Sequence, residues 1–247
     1  MINRIRNKKN SLSLFVKQSF ISFRKKNIRS FSPKLCKFLQ TRQEVDKCTS
    51  FLRHYGFVSH NLICKDWDLA HIISEIDDGN FLDMGSSDSY ILKNIALKRI
   101  KGELYGIDFR KPDVPVSGVK YIVGDLMDTK LTRNFFKNIT CLSVIEHEVD
   151  FYKFAREVAS LLQDQGKLYV TFDYWEPKIN TDITLYGLKW QPLDQESVKQ
   201  FVSQCEANNL YLVQDIDWTI EEAVIHKDFY SPGPSYTFGL LVFEKQS

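Results

Sequence analysis

The 247-residue chain has few cysteines and lacks long apolar runs. Its five cysteines form no CxxC pair and have no metal-ligand spacing, which argues against a zinc ribbon or a disulfide framework and favours a reducing cytoplasm. No window approaches the roughly 18 apolar residues of a membrane span, so integral insertion is excluded. No apolar stretch with a cleavage site follows the first basic residues, which argues against a secretory signal.

Composition and charge then indicate how the chain is organised. Hydrophobic residues make up 43% and charged residues 26%, which is typical of a globular protein. Residues 1–60 contain 14 Lys and Arg against 2 Asp and Glu, whereas residues 61–247 are net acidic. We therefore predict a basic N-terminal extension over 1–60 and a body over 61–247. The extension is interpreted as a solvated or substrate-covering lid, a patch for nucleic acid or anionic lipid, or an organelle presequence.

Apolar periodicity predicts helices before the body. Residues 13–27 and 34–55 space their apolar side chains at helical intervals, and 65–76 repeat the pattern before turn residues at 77–80. From there, short apolar runs alternate with longer amphipathic ones, which indicates an α/β fold with a parallel sheet and crossover helices. After a further helix over 194–208, two terminal strands are predicted to pair as an antiparallel hairpin.

The first strand of the body ends in a turn that suits ligand binding. The run FLDMGSSDS places Asp83, Gly85, Ser86 and Ser87 between a buried strand and a helix. Backbone N–H groups at a helix N-terminus are free to bind a ligand, and a glycine lets the ligand approach closely. A plain structural connection has the same pattern, so the turn alone is weak evidence.

The next three predicted strands also end in acidic or small polar residues. Asp108 ends the second strand, Asp125 with Leu126 follows the third, and the fourth runs through Ser143 into Glu146 and His147. These sets meet in one crevice because ligands of open α/β sheets bind at the carboxyl ends of the strands. From its position, Asp108 can accept both hydroxyls of a ribose.

Residues 62–175 resemble the class I S-adenosylmethionine-dependent methyltransferases, particularly their type 11 branch with small-molecule and sugar enzymes. The resemblance rests on Asp83-Met84-Gly85, Asp108, Asp125 with Leu126, and Val144-Ile145-Glu146-His147. It implies a doubly wound, mostly parallel seven-stranded sheet of Rossmann-like type and S-adenosylmethionine as the cofactor. It also implies contacts from Asp108 to the ribose and from Asp125 and Leu126 to the adenine.

Two features separate this resemblance from its nearest rival, a dinucleotide-binding dehydrogenase. Gly-x-Gly-x-x-Gly is absent, and Asp83 would repel phosphates but suits a cationic sulfonium. Ser87 and Ser89 replace the family's second and third glycines, so these residues must tolerate the backbone angles of the turn.

The acceptor side is predicted from residues at other strand ends. Asp173, Tyr174 and Trp175 either form a sheet edge rich in aromatics or bind the acceptor, and their position at a strand end favours acceptor binding. Tyr186 and Trp190 would extend an aromatic wall suited to a sugar ring. His147, beside Glu146, is the candidate catalytic base, with substrate hydrogen bonding and a purely structural role as its alternatives. Trp67 and Asp68 either line the methionine end of the cofactor or form a helix cap with a core tryptophan.

We therefore predict methyl transfer to a hydroxyl of a small polar acceptor, such as a sugar, a glycan precursor or a secondary metabolite, with no metal required. Two alternatives remain open. An RNA methyltransferase would use the basic extension for phosphate contacts, although the acidic body disfavours nucleic acid. A non-catalytic protein that only binds S-adenosylmethionine is the other. Peripheral membrane contact through the extension is also compatible with the sequence.

Overall fold

The computed structural model describes residues 34–226 and 235–247. In these ranges the strands are β1 (Lys37–Phe38), β2 (Phe81–Met84), β3 (Leu104–Asp108), β4 (Val119–Val123), β5 (Phe136–Leu142), β6 (Leu162–Tyr174), β7 (Thr184–Leu185), β8 (Leu188–Lys189), β9 (Leu210–Leu212) and β10 (Thr237–Lys245). The helices are α1 (Arg42–Tyr55), α2 (Asp66–Glu75), α3 (Tyr90–Lys98), α4 (Phe151–Leu161) and α5 (Gln195–Glu206), with a 3-10 helix at Ile63–Lys65.

The main sheet has the order β4-β3-β2-β5-β6-β10, and both β1 and β9 pair with the far edge of β10. The pairs among β2, β3, β4, β5 and β6 are parallel, whereas β10 is antiparallel to β6, β9 and β1. In the described ranges the sheet has eight strands rather than the predicted seven, because both β1 and β9 pair with the edge of β10. The predicted α/β class and the antiparallel C-terminal hairpin are confirmed.

The N-terminal part of the described chain differs from the sequence prediction. The helix predicted over 34–55 begins only at Arg42, where Thr41 caps it by accepting a hydrogen bond from the backbone of Glu44. Before it, Phe38 is fully buried in β1, because the edge of β10 offers backbone partners that a helix would leave unused. The helix predicted over 13–27 lies outside the described residues.

Local sequence explains where the remaining helices start. The side chains of Ser89, Asp150 and Asp194 cap α3, α4 and α5 by accepting a hydrogen bond from a backbone N–H in the first turn. Aliphatic and aromatic side chains, including Phe81 and Phe172, fill the space between the sheet and the helices. Because β2, β3 and β5 are parallel neighbours, the loops that follow them meet at one edge of the sheet.

None of the helices in the described ranges has the length and apolarity that a membrane span requires. The run SPGPS at 231–235, a Pro/Gly loop between the two predicted terminal strands, lies mostly outside the described residues.

Candidate active site

A cavity of about 450 Å³ opens at the carboxyl edge of the parallel strands. Its volume lies in the range typical of small-molecule sites. One side consists of residues that follow β2, β3 and β5, and the other of the segment around α2 and the turn between β7 and β8. The sheet side includes Asp83, Gly85, Ser87, Asp108, Ser143 and His147, and the opposite side includes His60, Leu62, Lys65, Asp68, Tyr186 and Leu188.

The turn after β2 is shaped by Gly85. Its φ of 86° lies in the left-handed region, and a Cβ there would come within 2.4 Å of the Val144 side chain. The backbone N–H groups of Gly85 and Ser86 donate to the carbonyl of Ile107, so the turn is fixed to β3. In the described chain neither Ser87 nor Ser89 is among the residues with positive φ. The two serines that replace the family's glycines therefore cause no backbone strain.

Asp108 lies at the end of β3 and lines the cavity although it is only 7% exposed. Its Oδ2 accepts a hydrogen bond of 3.0 Å from the backbone N–H of Ser87, and its Oδ1 accepts one of 3.4 Å from the backbone of Arg110. These bonds orient the carboxylate at the strand end. Each oxygen keeps a lone pair with which it can accept a hydroxyl.

Asp83 is the second carboxyl group of the sheet side. It is 3% exposed, and its Oδ1 accepts a hydrogen bond of 2.6 Å from the Thr140 hydroxyl. Burial raises the pKa of Asp83 to about 7, although hydrogen bonds from Ser89 and Thr140 lower it in part. The group therefore changes charge near neutral pH, and a neighbouring cation would stabilise its charged form.

Of the two residues predicted as catalytic, His147 lines the cavity and Glu146 does not. The Nδ1 atom of His147 is buried and has no hydrogen-bond partner among the described residues, and burial lowers the pKa of its ring. The ring of Tyr186 packs edge to face against the His147 ring, with 6.2 Å between the ring centres. A neutral imidazole with an unused nitrogen is able to accept a proton.

The two remaining strand-end predictions have different positions. Leu126 lines the cavity and is 6% exposed. Asp125 is exposed and outside the cavity lining, and its Oδ1 accepts a hydrogen bond from the backbone of Met127. Ser86 is buried and absent from the lining, and its hydroxyl packs against Gly106 and has no hydrogen-bond partner in the described chain.

The predicted aromatic wall is not formed in the described part of the chain. Tyr174 is 2% exposed and packs on Phe38 and Trp218, and Trp190 is equally buried, where its Nε1 donates to Asp173 at 2.7 Å. Strand β10 and the segments beside it cover this end of β6, so these side chains belong to the core. Asp173, Tyr174 and Trp175 are all absent from the cavity lining, which contains only Tyr186 of the predicted wall.

Sequence reasoning missed His60 and underestimated Lys65. His60 lies in a stretch between α1 and α2 that has no helical or strand periodicity, and Lys65 is the first residue of the helix predicted over 65–76, a pattern that does not indicate a site. The Nδ1 atom of His60 accepts a hydrogen bond of 2.9 Å from the backbone of Leu62, so the hydrogen of the neutral ring is on Nε2. The only local signal was the acidic and aromatic run that follows Lys65.

The residues that line the cavity fit S-adenosylmethionine. Asp108 offers lone pairs for ribose hydroxyls, and Gly85 leaves room for close approach of a ligand to the backbone. The lining contains four carboxyl groups and two permanent cations. This excess of acidic groups suits a cationic sulfonium and disfavours phosphates. In the described ranges no group of three or more histidine, cysteine or acidic residues is arranged to hold a metal ion.

Comparison with known proteins agrees with this geometry. Residues 82–170 match the family model described as a methyltransferase domain. A solved S-adenosylmethionine-dependent methyltransferase from Mesorhizobium loti superposes with a TM-score of 0.55 at 11% identity, over 74% of this chain and 98% of that one. Phosphoethanolamine N-methyltransferase 2 from Haemonchus contortus, solved with S-adenosylmethionine, superposes with a TM-score of 0.52 at 11% identity. The match covers 82% of this chain and 53% of that one.

The fold alone does not specify an activity. The [4+2]-cyclase SpnF superposes with a TM-score of 0.54 at 16% identity, over 74% of this chain and 82% of that one. No curated protein matches the chain by sequence.

The domain match shows that residues 82–170 form a methyltransferase domain, and the strand order gives the chain the class I methyltransferase fold. The lining of the cavity at the edge of this domain fits S-adenosylmethionine as the cofactor.

Proposed function

We propose that this enzyme methylates a hydroxyl group of a small polar acceptor, such as a sugar, a glycan precursor or a secondary metabolite. The observation that carries the proposal is the position of His147. Its ring lines the cavity, its Nδ1 has no partner among the described residues, and burial lowers its pKa. The ring is therefore neutral at cellular pH, which is the form that a general base requires.

A hydroxyl acceptor needs such a base because its proton must leave as the new carbon–oxygen bond forms. S-adenosylmethionine, when bound, supplies an activated methyl group on a sulfonium centre. His147 would take the proton from the acceptor hydroxyl and hold it as imidazolium.

The dimensions and walls of the cavity support a small acceptor. Leu62, Leu126, Leu142 and Leu188 provide apolar surface, while Tyr186 lies beside His147. A hydrophobic enclosure holds the acceptor in place and limits the access of water to the activated methyl group. Alignment of this kind contributes up to about 7–11 kcal/mol to catalysis in favourable cases.

The test is a screen of hydroxylated small molecules for methyl transfer from labelled S-adenosylmethionine, followed by kinetics of His147→Ala. We expect the variant to lower turnover by roughly 10²–10⁴ with little change in cofactor affinity, since general-base catalysis acts on the transition state. The wild-type rate should rise with pH through a pKa below the usual value for histidine, about 6.5. A variant with more than a tenth of wild-type turnover would contradict the role of His147.

An amine acceptor is the second candidate. The solved phosphoethanolamine N-methyltransferase 2 is named for an amine substrate, and the cavity of this chain has more carboxyl groups than permanent cations. The same screen should therefore include small amines. Methylation of amines but of no hydroxyl compound would replace the first candidate by the second.

A further inference from the structure

Lys65 and Asp68 form a buried ion pair in the cavity lining. Lys65 ends the 3-10 helix and Asp68 lies in the first turn of α2, so three residues separate them and both side chains reach the same point. Their Nζ and Oδ2 atoms are 2.8 Å apart, with side-chain exposures of 13% and 1%. Salt bridges this deeply buried lose much hydration, so stability alone is a weak explanation for the pair.

The hydrogen bonds of the pair leave one donor and one acceptor position unused. The ammonium of Lys65 donates to Asp68 and to the hydroxyl of Ser143, and it lies 4.2 Å from the ring centre of Phe238. Its third N–H has no oxygen or nitrogen partner in the described chain. Asp68 accepts at Oδ1 from the backbone of Leu69 and at Oδ2 from Lys65 and Thr171, which uses three of about four lone-pair positions.

We propose that Lys65 and Asp68 bind the amino acid end of S-adenosylmethionine, Lys65 through its α-carboxylate and Asp68 through its α-ammonium group. A zwitterion matches an ion pair with one free donor and one free acceptor. The proposal rests on the cofactor and is independent of the acceptor that the enzyme methylates.

The surrounding acids select a zwitterion over a simple anion. Burial would lower the pKa of Lys65, but Asp68 and Asp173 outweigh it and keep the ammonium charged. Glu146 also lies near Lys65, and burial together with the charge of Asp173 raises the pKa of Glu146 well above its usual range. A lone carboxylate would meet Lys65 beside the charge of Asp68, whereas the ammonium group of an amino acid offsets that repulsion.

Calorimetric titration of the full-length protein with three ligands tests the assignment. S-adenosylhomocysteine has both charged groups, its decarboxylated analogue lacks only the carboxylate, and 5′-methylthioadenosine lacks the whole amino acid. We expect wild-type affinity to fall by about 10- to 100-fold when the carboxylate is removed, the range for one charged hydrogen bond. A second decrease should accompany the loss of the ammonium group.

Variants then assign each group. Lys65→Met should bind S-adenosylhomocysteine and its decarboxylated analogue about equally, and Asp68→Asn should reduce the preference for the decarboxylated analogue over 5′-methylthioadenosine. Lys120→Met is the matched control, because Lys120 forms an exposed ion pair with Glu103 away from the cavity. It should leave all three affinities unchanged.

Three outcomes would overturn the proposal. The first is equal binding of S-adenosylhomocysteine and the decarboxylated analogue by the wild-type protein, a result that needs no variant to fold. The second is that Lys65→Met weakens the binding of all three ligands by the same factor, which indicates general damage to the cavity. The third is that none of the three ligands binds. The hydroxyl proposal can fail in its acceptor screen while these binding results hold, so the two failures are distinguishable.

Discussion

The two sides of the cavity are built in different ways. The side that we call the sheet wall comes from the loops that follow β2, β3 and β5, and includes Asp108 and His147. The opposite side, the outer wall, comes from residues 60–69 and from the turn between β7 and β8. Backbone hydrogen bonds tie the sheet wall to neighbouring strands, such as that from Gly85 to Ile107. The turn of the outer wall belongs to a separate two-stranded sheet.

This difference indicates a division of tasks. Residues fixed by the central sheet have constant positions and suit an invariant cofactor. A short hairpin with an exposed tip, in which Tyr186 is 80% exposed, has few contacts that oppose its movement or substitution. We therefore expect substitution of Asp108 in the sheet wall to affect the cofactor and substitutions in the hairpin to affect the acceptor, whereas His147 of the sheet wall acts on the acceptor proton.

The largest expected effect in this comparison is that of Asp108→Ala. Loss of a carboxylate that accepts ribose hydroxyls should weaken S-adenosylhomocysteine binding by about 1.5–3 kcal/mol, or roughly 10- to 150-fold. Asp128→Ala is the matched control, since Asp128 also follows a strand of the sheet but forms an exposed ion pair with Lys130 outside the cavity lining. Equal effects of the two variants in calorimetry would break the assignment of the ribose site to Asp108.

Asp83 of the sheet wall should make the stability of the folded protein depend on pH. Its folded pKa of about 7 lies above the ordinary value of 3.8, so the protonated form favours the folded state. The stabilising contribution is complete below pH 3.8 and is lost as the pH rises through 7. The melting temperature of ligand-free wild type, measured relative to Asp83→Asn, should therefore fall by several degrees between about pH 4 and 8. A constant difference would show that the carboxyl group is not coupled to folding.

The smallest expected effect is that of Tyr186→Ala in the outer wall. Removal of the ring beside His147 should raise the KM for the acceptor by about 3- to 10-fold, because some apolar contact is lost. The dissociation constant for S-adenosylhomocysteine should stay the same. Tyr152→Ala is the control, since Tyr152 is an exposed tyrosine of α4 outside the cavity lining. A loss of cofactor affinity in Tyr186→Ala would contradict the proposal that the hairpin contacts the acceptor and not the cofactor.

The sheet wall could be predicted from sequence because its signals are local. Each of Asp83, Asp108 and Ser143 follows a short apolar run directly, and the general topology of parallel sheets brings such strand ends together. The alternation of strands and helices also predicted the class of fold. No knowledge of distant contacts was needed for either inference.

The outer wall was predicted only at Tyr186 and, as one of two alternatives, at Asp68, because long-range packing places the rest of it. Tyr174 and Trp190 are aromatic residues of the kind that line binding surfaces, yet β10 and its neighbours bury them. No local sequence pattern predicts this burial. His60 enters the cavity through an irregular segment whose path is fixed by Asp66, which accepts a hydrogen bond of 2.7 Å from the backbone of His60. A hydrogen bond between a loop and a buried acid produces no periodic pattern in the sequence.

The position of β10 has a consequence for how the protein is made. Three strands depend on it, since β6 pairs with one edge and β1 and β9 share the other. Lys37 pairs with Leu240 across most of the chain, a contact of very high sequence separation. During synthesis, β1, β6 and β9 therefore have unpaired edges until residues 237–245 have been made. Exposed edges of this kind promote aggregation, so the nascent chain depends on protection of these strands more than the finished enzyme does.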